Sequence, residues 1–430
     1  MSQYLDFVDY NYKPKKSDLI AEFRIEPNKV SFDEAVGRVA SESSNGTWTE
    51  LSTLKEHIRK IRARGFYKSG NLVKIAYPIE LFELGNMPQL YSALVGNIFG
   101  MKALKNLRLL DIDIPDKMLK SFRGPQHGLY GVRRFMGVVK RPFTATVPKP
   151  KVGMTTKEHS KVGFDSWVGG VDFLKDDENL TNQNFNKFSA RAKLCARMRD
   201  KAEKITGEKK DYFINVTAET QEMLRRTKIA HNYDFKYVMC DIVTAGWAGL
   251  QTLREFTQDT KQAIHAHRAM HSTFTRNPKH GLTMLALAKS ARLVGVDNIH
   301  IGTVVGKLVS PKKEVLAIAD EMDEQEVEEK FKQGILQESW RHIKPVIPCS
   351  SGGLHPGLVP PVLKMLGNDC LLQLGGGIHG HVKGSKAGAM ALRQAIDATM
   401  SGLSLNEAAK RTENLALRQA INHFGYEHPI

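Results

Sequence analysis

Lys175, Asp177 and Glu178 stand near the end of Gly169–Asn179, GGVDFLKDDEN, where one lysine meets three consecutive acids. The residues before them, glycine, valine, phenylalanine and leucine with little polar interruption, read as a buried strand. Lys175 and Asp177 are two apart and so share a face of that strand, with Glu178 within reach as the strand unwinds. Two adjacent carboxylates make a hard oxygen site suited to magnesium, but an ammonium repels a cation. Carbamylation of Lys175 removes the conflict, because carbon dioxide on a neutral amine yields an anionic oxygen ligand. Lys149 and Lys151, in TVPKPKVG, would lower the amine's pKa and help it react. A Lys–Asp salt bridge at the rim of a site, or a plain solvated charge run, is the competing reading.

Other residue types point the same way. SSGG (350–353) and GGG (375–377) are glycine-rich turns in which bare backbone N–H groups can close on a phosphate; tight turns alone would also explain them. Arg268 and His300 could hold a second phosphate, and two anion sites facing each other across a metal imply a bisphosphate substrate. His265 and His267 share a strand face, but the carboxylates serve a metal better, which leaves His265, His267 and His271 as acid/base or packing groups. GTVVGKL (302–308) has glycines at both ends of a short apolar piece, as a lid hinged to bring Lys307 over substrate would. A surface loop fits that stretch equally well.

Positioning such groups together requires a particular frame. From about residue 140 onward, short apolar segments alternate with helical ones: 143–149, 169–175, 212–218, 237–243, 263–268, 298–303, 344–350 and 370–376. Eight strand–helix units over about 290 residues fit a (β/α)8 barrel, for which about 250 residues is typical. An open doubly wound sheet is the alternative, but no GxGxxG follows the first strand. In a barrel the C-terminal strand ends face the active site. The first expected strand ends on Lys149, the second on Lys175, the fifth on His267 and Arg268, and the sixth carries His300. The seventh and eighth end in the glycine turns. Residues 1–125 read as a smaller α+β domain and 126–430 as the barrel, with a boundary near GPQHGLYGVRRF.

Composition sets the outer limits. The chain has 430 residues, 41% hydrophobic and 25% charged, enough for a large core. No run approaches the ~20 apolar residues of a membrane span, and the N-terminus lacks a signal-peptide pattern. Four widely spaced cysteines form no CxxC pair, which argues against a disulfide framework and fits a reducing cytoplasm. The net charge of +16 comes from 62 basic and 46 acidic residues, but the basic residues are scattered. Attraction of anionic small substrates is therefore expected rather than nucleic-acid binding.

TVPKPKVG, GGVDFLKDDEN, HRAMH, GTVVGKL, SSGG and LQLGGG, in this order, resemble the large subunit of ribulose-1,5-bisphosphate carboxylase/oxygenase, as do ESSNGTWTE and VGNIFGMKALKNLRL nearer the N-terminus. PKPKVG, RNPKHG and SSGGLHPG are most similar to archaeal-type form III enzymes. The resemblance implies Lys175 as the carbamylated lysine, with Asp177 and Glu178 completing a magnesium site. It implies Lys149 and His267 as proton-transfer residues and Lys307 as the group that stabilises the carboxylation transition state. Arg268, His300 and Ser351 would hold one phosphate; Gly352, Gly353, Gly375 and Gly376, with Lys151 and Gln373 alongside, would line the other. Glu42, Thr47, Trp48 and Asn97 would come from a neighbouring subunit, making a homodimer the minimal unit, alone or in a larger assembly.

The implied reaction is addition of carbon dioxide and water to D-ribulose 1,5-bisphosphate, giving two 3-phosphoglycerates through a magnesium-stabilised enediolate, with O2 competing. Form III resemblance implies a place in nucleotide (AMP) salvage. Two places depart from the family's pattern. Ile378, His379 and Val382 stand where the family commonly has Thr, Leu and Pro, beside a phosphate turn, and Val309-Ser310 follow Lys307 in place of an acid and a glycine. The alternatives are a related sugar-phosphate enolase or isomerase that fixes no carbon, and a non-catalytic basic binding protein.

Overall fold

The structure, a computed structural model, describes residues 3–49, 51–303, 305, 312–330 and 333–426. It divides into two compact units. The first gathers Met1–Gly124 with two later segments, Met270–Val294 and Glu324–Ile343. Its sheet is antiparallel in Leu19–Pro27, Arg64–Ser69, Leu72–Tyr77 and Leu104–Asp113, and a short strand, Gly281–Leu282, joins Leu104–Asp113 in parallel. Ser31 caps the helix Phe32–Glu42 by accepting from the Glu34 N–H. Within this unit Lys289 is fully buried between Asp111 (3.1 Å) and Glu338 (3.2 Å). Glu22 is 1% exposed, and neither of its carboxylate oxygens has a hydrogen-bond partner among the described residues.

The second unit comprises Pro125–Ala269, Gly295–Asp323 and Lys344–Ile430. Among the described residues it carries eight parallel strands: Phe143–Thr146, Phe173–Lys175, Asp211–Phe213, Tyr237–Asp241, Ala263–His267, Asn298–Gly302, Ile347–Ser351 and Leu371–Leu374. Taken in chain order as the first to the eighth, they are neighbours in the sequence three, two, one, eight, seven, six, five, four. The ring closes between the third and fourth: Met239 N–H donates to Ile214 O (2.9 Å) and Val216 N–H to Met239 O (3.0 Å). This is the (β/α)8 barrel expected from the sequence, and each strand falls within or overlaps one of the eight expected segments.

Both faces of the strands are buried, so they are rich in apolar residues, with polar ones such as Thr144, His265 and Asn298 buried among them. At their N-terminal ends Phe143, Tyr237, Ala263, Ile347 and Leu371 pack with Leu129, Val132 and Met136 of the helix Gly128–Met136. Asp297, itself buried, holds that helix in place by accepting from the N–H groups of His127 and Gly128 (both 2.7 Å) and of Ile264 (2.9 Å). Deeper in, Phe173 stacks on Phe213 (4.5 Å), and Phe213 on the imidazole of His265 (4.2 Å, 7° between planes). Each fully buried aromatic is worth about 1.5–3 kcal/mol of transfer free energy. Large side chains thus fill one end of the barrel, and the polar groups collect at the other.

Candidate active site

A cavity of about 620 Å³ opens at the C-terminal strand ends. Its lining includes Lys149, Lys151, Lys175, Asp177, Glu178, His267, His300, Ser351, Gly352, Gly353, Gln373, Gly375 and Gly376. Residues spread over more than two hundred positions of sequence are here brought together by the closure of one sheet.

The second strand supplies the centre. Lys175 is fully buried, and its Nζ donates to the Asp176 carbonyl at 2.8 Å. Burial lowers its pKa, while Glu178, Asp241 and Asp177 oppose that shift; a buried amine with reduced basicity spends more time neutral and nucleophilic. Asp177 accepts from Lys149 Nζ (3.2 Å) and from the N–H and side-chain amide of Asn179 (3.2 Å each). Burial alone would raise its pKa, but Lys149 and these hydrogen bonds bring it below the ordinary value. Glu178 faces Lys151 (3.9 Å) and His267 Nε2 (3.6 Å).

Asp176 faces the other way, as alternation along an extended chain requires. Its carboxylate is fully buried and takes bonds from Arg191 (3.1 and 3.2 Å), the Asn215 N–H (2.9 Å) and the Tyr212 hydroxyl. Arg191 lies on the helix Phe188–Thr206, so this acid ties the second strand to the helix that follows it.

The histidines divide by partner. His267 Nδ1 lies 2.9 Å from Asp241 Oδ1, at the end of the fourth strand. That charge-assisted contact outweighs the 3.2 Å approach of the Ala269 N–H and places the ring proton on Nδ1, leaving Nε2 toward Glu178. Burial, with Lys175 nearby, lowers the His267 pKa. His265 and His300 share a 3.0 Å Nε2···Nε2 contact; His265 Nδ1 meets Asn298 Oδ1 (3.0 Å) and His300 Nδ1 meets Ser351 Oγ (2.7 Å). Both rings are held neutral by burial, well below the ordinary histidine value.

The glycine turns have steric reasons. Gly352 and Gly353 adopt φ of 113° and 75°, a region that side chains rarely enter. A Cβ on Gly375 would come within 3.0 Å of Lys149 Cε, and one on Gly377 within 2.2 Å of the Leu354 carbonyl. Lys149 itself stands three residues beyond the first strand rather than at its last residue.

Other expected residues lie elsewhere. Arg268 is buried, with its guanidinium lowered to about 10 by burial, but does not line this cavity among the described residues. Lys307, with Gly306, Leu308, Val309 and Ser310, lies outside the described residues. Glu42, Thr47, Trp48 and Asn97 belong to the first unit. There Thr47 O accepts from the Gln3 side chain, Glu42 and Asn97 are exposed, and Trp48 is 80% exposed. The sequence reading passed over Asp241 and Asn215, whose side-chain amide donates to the Glu178 carbonyl (3.2 Å). A charged or amide residue closing an apolar run was the available signal in both cases.

Among the described residues no three His, Cys, Asp or Glu side chains form a ready metal cage. Asp177 and Glu178 offer two carboxylates, so a hard cation here needs a third oxygen donor, and the buried Lys175 amine is the group placed to carry one. The donor set fits magnesium on that condition.

Two family profiles match the chain: "Ribulose bisphosphate carboxylase large chain, N-terminal domain" over residues 6–118 and the corresponding "catalytic domain" over residues 128–424. The chain is 51% identical to "Ribulose bisphosphate carboxylase" of Pyrococcus abyssi, over 99% of this chain and 98% of that one. Among solved structures it is similar to an octameric ribulose-1,5-bisphosphate carboxylase/oxygenase from Pyrococcus horikoshii (TM-score 0.91, 50% identity, 98% and 97% coverage). It is also similar to a dimeric archaeal Rubisco from Hyperthermus butylicus (TM-score 0.94, 45% identity, 98% and 99% coverage).

Proposed function

The chain belongs to the family of ribulose bisphosphate carboxylase large chains, and on that premise we propose that it carboxylates D-ribulose 1,5-bisphosphate to two molecules of 3-phosphoglycerate. The observation that carries this reading is the buried Lys175 amine, set beside Asp177 and Glu178 in one cavity with Lys149 and His267. Activation adds carbon dioxide to the neutral amine: the nitrogen lone pair forms the N–C bond, one proton leaves, and a carbamate anion remains. Lys175, Asp177 and Glu178 would then hold magnesium. When bound, that ion supplies the polarisation of the C2 ketone that makes the C3 proton acidic.

The chain's own groups manage protons and charge. Lys175, once carbamylated, would be the group placed to accept the C3 proton. His267, with its proton fixed on Nδ1 by Asp241, presents a free lone pair on Nε2 and exchanges protons with the substrate hydroxyls. Lys149 returns a proton to the last carbanion; its 3.2 Å contact with Asp177 keeps its ammonium at the metal side of the cavity. The glycines of the two turns, Gly352 and Gly353 with Gly375 and Gly376, would take one phosphate, flanked by Lys151 and Gln373, and Ser351, His300 and Arg268 would take the other. Lys307 would stabilise the new carboxylate. O2 would compete for the same enediolate, and the reaction would belong to nucleotide (AMP) salvage.

We further propose a homodimer as the smallest active unit, with Glu42, Thr47, Trp48 and Asn97 reaching the partner's cavity. The dimeric and octameric states of the two similar structures support this, as does a tryptophan left 80% exposed in a single chain. The test is incorporation of radiolabelled bicarbonate with ribulose 1,5-bisphosphate after preincubation with carbon dioxide and magnesium. Preincubation should raise the rate, and Lys175→Ala should abolish it. Substrate turnover without fixed label would indicate an enolase or isomerase instead.

A further inference from the structure

His379 is a histidine that the proposed chemistry does not use. It closes the short turn Gly376–His379 after the eighth strand and does not line the cavity. Both of its ring nitrogens are engaged: Nε2 with Thr146 Oγ1 at 2.8 Å and Nδ1 with Ser385 Oγ at 2.9 Å. The single hydroxyl proton of Thr146 goes to the Leu374 carbonyl at 2.8 Å, so Thr146 must accept from His379, and the ring proton sits on Nε2. Nδ1 is then the acceptor for the Ser385 hydroxyl. The ring is neutral, as its pKa of about 4 requires; burial is the main cause and Lys149 adds to it, against a hydrogen bond to the backbone of Val147, the residue after Thr146.

The chain Ser385 → His379 → Thr146 → Leu374 links the Gly376–His379 turn to three further elements. Thr146 ends the first strand, Leu374 is its register partner on the eighth, and Ser385 opens the helix Gly384–Met400. That helix is pressed onto the turn: a Cβ on Gly388 would fall 2.1 Å from the Ile378 carbonyl. The glycine turn starts at the residue after Leu374, and Lys149 lies three residues after Thr146, its Cε 3.0 Å from where a Gly375 Cβ would be. Thr146 and Leu374 are therefore where the positions of Lys149 and of the turn are jointly fixed.

We propose that His379 is a positioning residue which, through Thr146, sets the spacing between Lys149 and the Gly375–Gly377 turn and so tunes the affinity of that turn for a phosphate group. The proposal rests on the reading of this turn as a phosphate site. Leucine removes both ring bonds; glutamine keeps an N–H donor that can reach Thr146.

The test measures kcat and KM for ribulose 1,5-bisphosphate in His379→Leu, His379→Gln, Thr146→Val and the Leu/Val double variant, together with protection of each against heat by inorganic phosphate. His379→Leu should raise KM about tenfold, the loss expected for one disrupted hydrogen-bond chain, with kcat within about twofold and weakened protection by phosphate. His379→Gln should stay near the parent, and the double variant should be no worse than the poorer single one. An unchanged KM and unchanged protection in His379→Leu, equal damage from glutamine and leucine, or additive effects of the two sites would each overturn the proposal. A parent that fixes no carbon yet is protected by phosphate would refute the carboxylase reading, and the protection series would then decide the positioning role of His379.

Discussion

Asp176 and Asp177 differ by one position and serve different ends: one is spent inside on Arg191 and Tyr212, the other faces the cavity with Lys149. Removing the Asp176 carboxylate would strand Arg191, and breaking such a buried pair costs about 3–5 kcal/mol. In GGVDFLKDDEN the two acids look alike, because nothing local announces an arginine fifteen residues on. Glu22 shows the same logic with a measurable consequence. Burial raises its carboxyl to about 7, with Lys74 opposing and Asp111 adding to the shift. The folded chain thus holds a proton that the unfolded chain, with an ordinary value near 4.5, has already lost. This contribution is fully present below about pH 4.5 and declines as pH rises through about 7. Glu22→Gln should remove that slope and make the protein more stable than the parent at pH 8, by about 2–3 kcal/mol. Urea midpoints across pH 5–8 check this; parallel curves for parent and variant would count against it.

At the scale of elements, the barrel strands were legible because burial on both faces leaves each an apolar run of a few residues, punctuated where it reaches the mouth. The segment 237–243, YVMCDIV, is the clear case. Polar partners were not legible, because they depend on which strand ends closure makes adjacent. Asp241 reaches His267 from 26 positions away, and Thr146 reaches His379 from 233. Neither distance leaves a periodicity. The sixth strand ends at Gly302, and Lys307 follows five residues later. If Lys307 acts on the carboxylation step alone, Lys307→Ala should retain loss of tritium from C3 of ribulose 1,5-bisphosphate. Carbon dioxide fixation should fall by about 10²–10³, the usual worth of one preorganised charge on a developing anion. Equal loss of both signals would assign Lys307 to binding or enolisation.

For the molecule as a whole, a site shared between protomers predicts complementation. Subunits carrying Glu42→Gln and subunits carrying Lys175→Ala should each be inactive alone. A mixed dimer should regain activity at its single intact site; verified heterodimers with no recovery would exclude the shared arrangement. No helix among the described residues is long and apolar enough to cross a membrane, and all four cysteines are free and buried. The make-up of the first unit also constrains the order of events on the ribosome. Asp111 is neutralised by Lys289, and its sheet gains the strand Gly281–Leu282, both encoded after the fifth barrel strand. At about 5–20 residues per second, Asp111 emerges roughly 10–40 s before its counter-charge. Throughout that interval the N-terminal segment is a nascent chain with an acid it cannot yet bury, so its final packing must wait until more than half of the barrel has been synthesised.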